Sequence, residues 1–345
     1  MFFASDNGAP VPPQVMAALA AANAGPAMPY GADPWTERAV AAVRTAFEAP
    51  QAEVFLVATG TAANALSLAA LCPPWGAIFC QPEAHTMQDE CGAPEFFSGG
   101  AKLVPVAAEG GRMGPRALRD ALARLWHGSV HSVQRGALSI TNVTEAGTVY
   151  DPDQIAALAE IAHSAGMPVH LDGARIANAL AASGASPAEM TWKAGVDVLS
   201  LGGTKTGLMA AEAVVIFNRV DPWEMQLRRK RAGHLFSKHR YLGAQIDAWL
   251  ADGLWLDLAR HSNAMAARLA SGIAALPGAR LWHPVEANIV FADLPRDGHD
   301  RAVAAGARYY PFGEATAPAP QGARLVTSWA TDRKEVDRFL ACLSG

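Results

Sequence analysis

Val198-Leu199-Ser200-Leu201-Gly202-Gly203-Thr204-Lys205-Thr206-Gly207 is an apolar, β-prone run that opens into glycines around one lysine. Such a run reads as a buried strand, and glycines beyond it permit close backbone approach. A lysine held at a strand tip can carry a carbonyl cofactor as a Schiff base. Taken alone, Lys205 is more ordinarily a solvated loop residue. Other strand ends must supply the remaining groups if the first reading is to stand.

Working outward, further β-type runs fall at 53–58, 77–80, 102–106, 137–142, 168–171 and 213–217, beside 196–201 itself, and helical patterns lie between them, as at 115–126 and 152–165. That alternation predicts an α/β fold with a mainly parallel sheet covered by helices on both faces. Ligands of such sheets bind beyond the strand C-termini. Polar clusters fall there: 59–61, His85, 142–145, 172–175 and Thr204-Lys205.

At the start, 1–11 reads as loop, 14–23 as a helix begun by Pro12-Pro13, and 35–48 as a helix with Asp33 as cap. Residues 221–273 read as long helices that include Arg228-Arg229-Lys230-Arg231. Such a cluster is usually a solvated face, but in an oligomer it could reach a neighbour's phosphate. From about 275, short strands (280–283, 287–291, 324–327) mix with helices near 297–305 and 331–343. The division expected is an N-terminal arm and helix (1–24), a large cofactor-binding domain (25–250) and a small α/β domain (251–345).

The 345 residues carry 28 basic and 32 acidic side chains, net charge -4, so no basic surplus points to nucleic acid or a membrane surface and a small-molecule partner is expected. Only 17% of residues are charged against 51% hydrophobic, which suggests burial between subunits and hence a homo-oligomer. Cys72, Cys80, Cys91 and Cys342 show no Cys-x-x-Cys spacing, the opening residues show no secretory pattern, and no apolar run is long enough to span a bilayer. A reduced, cytoplasmic protein is expected, and no metal site.

Two motifs carry chemistry. Thr59-Gly60-Thr61-Ala62-Ala63-Asn64 joins a strand to a helix, which makes either an anion site or a simple cap. His170-Leu171-Asp172-Gly173-Ala174-Arg175 ends a strand with a carboxylate and a guanidinium. Asp172 could keep a pyridine nitrogen protonated, or cap the next helix beside a surface arginine.

Together with Ser5-Asp6-Asn7, Tyr30-Gly31-Ala32-Asp33-Pro34, His85 with Glu90, Asp172-Gly173-Ala174-Arg175-Ile176-Ala177-Asn178 and Gly203-Thr204-Lys205, the chain resembles the low-specificity L-threonine aldolase family from residue 5 to about 330. That family belongs to the fold type I, aspartate-aminotransferase-like enzymes, and the resemblance implies pyridoxal phosphate as cofactor. It implies that Lys205 is the Schiff-base lysine, with Thr204 beside it, that Gly60 and Thr61 hold the phosphate, that His85 stacks on the ring and that Asp172 pairs with the ring nitrogen. Arg175 is implied near the cofactor oxygen and substrate carboxylate, Ser5 and Arg324 at that carboxylate, and His131 near the substrate hydroxyl. Tyr30 and Asp33 are expected to wall the site, from an adjacent subunit of a dimer of dimers. Glu145 is expected at the substrate and Arg229 at the phosphate.

The activity implied is cleavage of the Cα–Cβ bond of L-β-hydroxy-α-amino acids such as threonine and allo-threonine, giving glycine and an aldehyde, with His85 as first candidate base and His131 as second. The chain departs from the family pattern at Gly233-His234-Leu235-Phe236-Ser237-Lys238 and at Thr144-Glu145-Ala146-Gly147, which suggests bulkier substrates such as phenylserine. A β-eliminating lyase or aminotransferase would use the same Lys205 and Asp172. A non-catalytic pyridoxal-phosphate-binding protein is the rival from another class.

Overall fold

Apolar runs form one seven-stranded sheet in the computed structural model, which describes residues 1–313 and 320–345. In chain order the strands are β1 (Glu53–Val57), β2 (Gly76–Cys80), β3 (Lys102–Pro105), a short hairpin of β4 (Ala108–Glu109) with β5 (Arg112–Met113), β6 (Gln134–Thr141), β7 (Val169–Gly173), β8 (Val198–Gly202) and β9 (Glu212–Ile216). Outside the hairpin they stand in the order β1-β9-β8-β7-β6-β2-β3. The strand β9 runs antiparallel to β1 and β8, while the other pairings are parallel, as the alternating pattern predicts. Residues 203–211 link β8 to β9 through one 3-10 turn and no crossover α-helix, so β9 returns antiparallel.

Strands β2, β7, β8 and β9 are buried along their whole length, which is why they read as continuous apolar runs. Alternate side chains serve opposite faces. Val54, Leu56, Leu199 and Leu201 join one core, and Phe55, Val57, Val198 and Val214 the other. Each such side chain stabilises the fold by roughly 1.5–3 kcal/mol. The helix Gly60–Leu71 carries no charge because it is buried nearly all round.

Asp33 caps the helix Pro34–Ala46: Oδ1 accepts the Thr36 N–H and Oδ2 the Thr36 hydroxyl, both at 2.9 Å. Both oxygens are engaged and the residue is 1% exposed, so the cap expected at Asp33 is present. The helical block expected at 221–273 is three helices, Pro222–Arg231, Arg240–Leu250 and Leu254–Ala274. Gly233 and Gly253, at φ +80° and +74°, interrupt it.

The C-terminal sheet is antiparallel, in the order β10 (Arg280–Leu281), β11 (Ile289–Leu294), β13 (Gln321–Val326) and β12 (Tyr310–Phe312). The sequence reading misses β12, whose Pro311 is tolerated because the strand lies at an edge. One face, with Val290, Ala292, Ala323 and Leu325, packs on Leu269, Ile273 and Phe339. Phe3 is fully buried in the same core, and its N–H donates to the Arg308 carbonyl at 2.7 Å. The first residues thus pack with the small domain, and the chain passes from there through Ser5 and Asp6 towards the large sheet. The helix Leu254–Ala274 serves both units: Ser262 receives a hydrogen bond from Asn178, while Leu269 and Ile273 fill the small core.

Candidate active site

The lysine turn is held tightly. A Cβ on Gly202 would lie 2.5 Å from Ala174 Cα, so only glycine lets the end of β8 abut the Asp172 turn. The indole N–H of Trp249 donates to the Thr206 carbonyl at 3.1 Å, and Glu212 accepts the Gly203 N–H at 2.8 Å. From this turn Lys205 projects, part-buried. Burial, then the positive charge of Arg175, lowers its ammonium pKa. No ion pair or hydrogen bond engages the ammonium among the described residues.

Asp172, at the end of β7, accepts the Ala174 N–H on Oδ1 at 3.0 Å and the Asn64 amide on Oδ2 at 2.9 Å. It does not cap the following helix Ile176–Ser183, whose N-cap position is Arg175. Asn64 also donates to Glu90 Oε1 at 2.9 Å, and that oxygen meets His85 Nδ1 at 2.8 Å. Asp172, Asn64, Glu90 and His85 therefore form one chain of hydrogen bonds. The Glu90 contact is the main reason the His85 pKa is raised, while burial raises that of Glu90. Glu145 accepts the His85 backbone N–H at 2.7 Å and the Gln81 amide. Burial, then the charge of Asp172, pushes its carboxyl up to about 7. Its described role is to anchor the His85 turn.

Arg175 is buried, not at the surface. Its Nε and Nη2 donate to Asp6 at 2.7 and 2.9 Å, and Asn288 adds a third bond to Asp6 at 3.0 Å. Burial is the largest single influence and opposes both charges, but their neighbours together outweigh it: Arg175, Lys205 and Asn288 hold Asp6 below its ordinary pKa, and Asp6, Glu145 and Asp172 hold Arg175 above. This bidentate pair fixes the arm, the large sheet and the small domain to one another. Ser5 stands next to it, with its hydroxyl accepting the Asn7 N–H at 3.2 Å. Arg324, between Phe291 and Tyr310 in the small sheet, has no ion-pair partner among the described residues. Burial, then the charge of Arg175, lowers its pKa.

At the end of β1, Thr59 caps the helix Gly60–Leu71 through the Ala62 N–H at 3.2 Å. The cap and the anion site are compatible, since the Gly60 and Thr61 N–H groups still lack partners among the described residues. Space beside Gly60 is open: nothing lies within 4 Å of a Cβ built there.

Three expected residues stand apart from this cluster. His131 lies on an exposed loop ahead of β6, whereas Thr141 at the other end of that strand pairs with Asp172. Along the strand that is roughly 25 Å away. Tyr30 is half-exposed, with the Lys230 ammonium 4.9 Å over its ring. Arg229 turns under β1, to the Leu56 carbonyl at 3.3 Å and His239 at 3.4 Å, and burial pushes its pKa down to about 10. An open cleft of about 1230 Å³ beside the β4–β5 hairpin, lined by Arg112, Asp120, Asp151 and Trp282, holds none of the residues gathered around Lys205.

Asp6, Asn64 and Glu90, which the sequence reading names only as members of motifs, support the site together with Glu212 and Asn288, which it does not name. Glu212 leaves a signal in the sequence, an acid opening an apolar run. Asn64 leaves a weaker one, an amide one turn into an apolar helix.

The sheet order, the lysine at the β8 tip and the appended antiparallel domain define the fold type I class of pyridoxal-phosphate enzymes. A family model described as beta-eliminating lyase matches residues 3–296. A low specificity L-threonine aldolase of Pseudomonas aeruginosa is 45% identical over 336 residues, covering 97% of this chain and 94% of that protein. Another, from a Pseudomonas species, is 42% identical, covering 98% and 96%. Among solved structures, threonine aldolase of Leishmania major superposes with a TM-score of 0.91 at 28% identity, covering 99% of this chain and 98% of that one. The chain belongs to the beta-eliminating lyase family and, within it, to the low specificity L-threonine aldolases. Those names carry threonine and give phenylserine no support.

Proposed function

We propose that the protein is a pyridoxal-phosphate-dependent aldolase that cleaves L-threonine and L-allo-threonine between Cα and Cβ, yielding glycine and acetaldehyde. The observation that carries this is a partner-free Lys205 beside Asp172, with Arg324 unpaired across the cluster. The residues fit the cofactor. Open N–H groups at Gly60 and Thr61 suit a phosphate, Asp172 suits a protonated pyridine nitrogen, and Lys205 suits a carbonyl carbon. When bound, the cofactor supplies a carbonyl that takes up the substrate amine and a ring that accepts the electrons of the broken bond.

Arg324 grips the substrate carboxylate, since a guanidinium donates two parallel hydrogen bonds to that group. Arg175 is locked by Asp6 and lends a fixed positive field. His85 takes the proton of the β-hydroxyl as the Cα–Cβ bond breaks, and Glu90 stabilises the imidazolium formed. The aldehyde leaves, and a proton delivered to Cα completes glycine.

Product analysis tests the reading. Glycine and acetaldehyde in equal amounts support it, whereas ammonia and a keto acid indicate β-elimination.

Oligomerisation belongs to the same proposal: a dimer of dimers with the site at a subunit interface. Trp223 and Leu227, one turn apart on the helix Pro222–Arg231, and Phe96 beside it are exposed apolar side chains that a second subunit would cover. Light scattering on the eluted protein checks the subunit number. Four unpaired thiols suit the cytoplasm, where we place the protein, and no described helix is long and apolar enough to cross a membrane.

A further inference from the structure

The mechanism above leaves the carboxyl of Glu212 without a role, yet that group is buried against the lysine turn. Glu212 opens β9, and the β8–β9 register sets it opposite Gly202. Its side chain thereby reaches the two residues that precede Lys205. Oε2 accepts the Gly203 N–H at 2.8 Å and Oε1 faces the Thr204 N–H at 3.4 Å. The residue is 5% exposed, and an acid is costly to bury unless its oxygens are engaged.

The turn it holds has no slack. A Cβ on Gly203 would meet Leu208 Cδ1 at 2.4 Å and the Ala211 carbonyl at 2.7 Å. Lys205 is the charged group whose field acts on Glu212. Lys205 in turn feels Arg175 on one side of the balance and Asp6, Asp172 and Glu212 on the other. Asp6 is committed to Arg175, and Asp172 to Asn64 and the Ala174 N–H. Glu212 differs from both in gripping the turn that carries the lysine.

We infer that Glu212 is a positioning residue for Lys205: its carboxylate fixes the Gly203-Thr204 backbone from which the lysine projects and sets a negative charge within reach of the ammonium. This rests on Lys205 being the cofactor lysine. Burial pushes the Glu212 carboxyl up to about 7, so the charge develops as pH rises through that value. An anion there favours the ammonium, and its removal makes Lys205 easier to deprotonate.

The test compares Glu212→Gln, which keeps an acceptor without the charge, with Glu212→Ala, which has neither. In the cofactor-free proteins, competitive labelling of Lys205 with trace acetic anhydride between about pH 6 and 10, read by mass spectrometry, reports the ionisation of that one amine. Both variants should deprotonate Lys205 at lower pH than wild type does. Equilibrium titration with pyridoxal phosphate should show about tenfold weaker binding for Glu212→Ala and a loss within about threefold for Glu212→Gln. A Glu212→Gln labelling profile that superimposes on wild type overturns the inference, and this arm decides even if Glu212→Ala fails to fold. Alanine binding the cofactor as wild type does would overturn the positioning role as well. Should Lys205→Ala bind pyridoxal phosphate with an unchanged spectrum, the cofactor-lysine reading fails instead, whatever the labelling shows.

Discussion

The two ends of strand β8 treat charge in opposite ways. Just ahead of its N-terminus, Asp197 accepts the Val169 N–H at 2.8 Å, meets His163 at 2.9 Å and pairs with Arg219 at 3.2 Å. Its carboxylate is fully occupied. Beyond the C-terminus, Lys205 and, across the cluster, Arg324 have no ion-pair partner among the described residues, although Asp6, Asp172 and Glu212 lie close to the lysine and Glu145 lies near Asp172 and Arg175. Each of those acids is already committed to an amide, a guanidinium or a backbone N–H. One end therefore satisfies its charges for stability. The other keeps two cations unsatisfied, which costs stability and leaves them available to a carbonyl and a carboxylate.

Removing the lysine breaks the contrast most severely. Lys205→Ala should cost roughly a thousandfold or more in turnover, read as glycine release, with the apo melting temperature held or raised. Arg324→Leu should cost about 10–100-fold in kcat/KM, mainly through KM for the amino acid, because one bidentate carboxylate contact is lost. A change confined to kcat would remove Arg324 from the carboxylate.

Glu90→Gln sharpens the assignment of the base. His85 must be neutral to accept a proton, so kcat/KM rises with pH as His85 loses its own. Glu90 raises that pKa, so its loss should move the rise to lower pH. An unmoved limb of the pH–rate profile would count against His85 as base. At the opposite end of β8, Asp197→Asn should lower stability by about 1–2 kcal/mol, since its cationic partners are part-exposed, and change kcat/KM by less than about twofold. Urea unfolding and steady-state kinetics on one preparation check both halves.

What was legible in the sequence follows the reach of each interaction. Lys205, Asp172 and the Gly60 turn were legible as candidates because a strand and its loop are local, and the motif spells out both. The sheet was legible for the same reason, since its central strands are buried on both faces and read as unbroken apolar runs. Asp33 was legible as a cap ahead of Pro34, and its Thr36 contacts bear that out. His131 lies ahead of β6, at the end away from Asp172 within one chain, a matter of strand direction that no motif records. Asp6 with Arg175, 169 residues apart in sequence, and Asn64 with Asp172, 108 apart, meet only through the fold. Glu212 lay one residue outside the apolar run read as a strand, so its pairing with Gly202 was invisible.

The unsatisfied lysine is the central claim, and chemical trapping tests it most directly. Borohydride reduction of the protein incubated with pyridoxal phosphate, then peptide mapping by mass spectrometry, should place the reduced cofactor on Lys205 in a single labelled peptide. Label on Lys193 or Lys230 instead, or on no lysine, would contradict it.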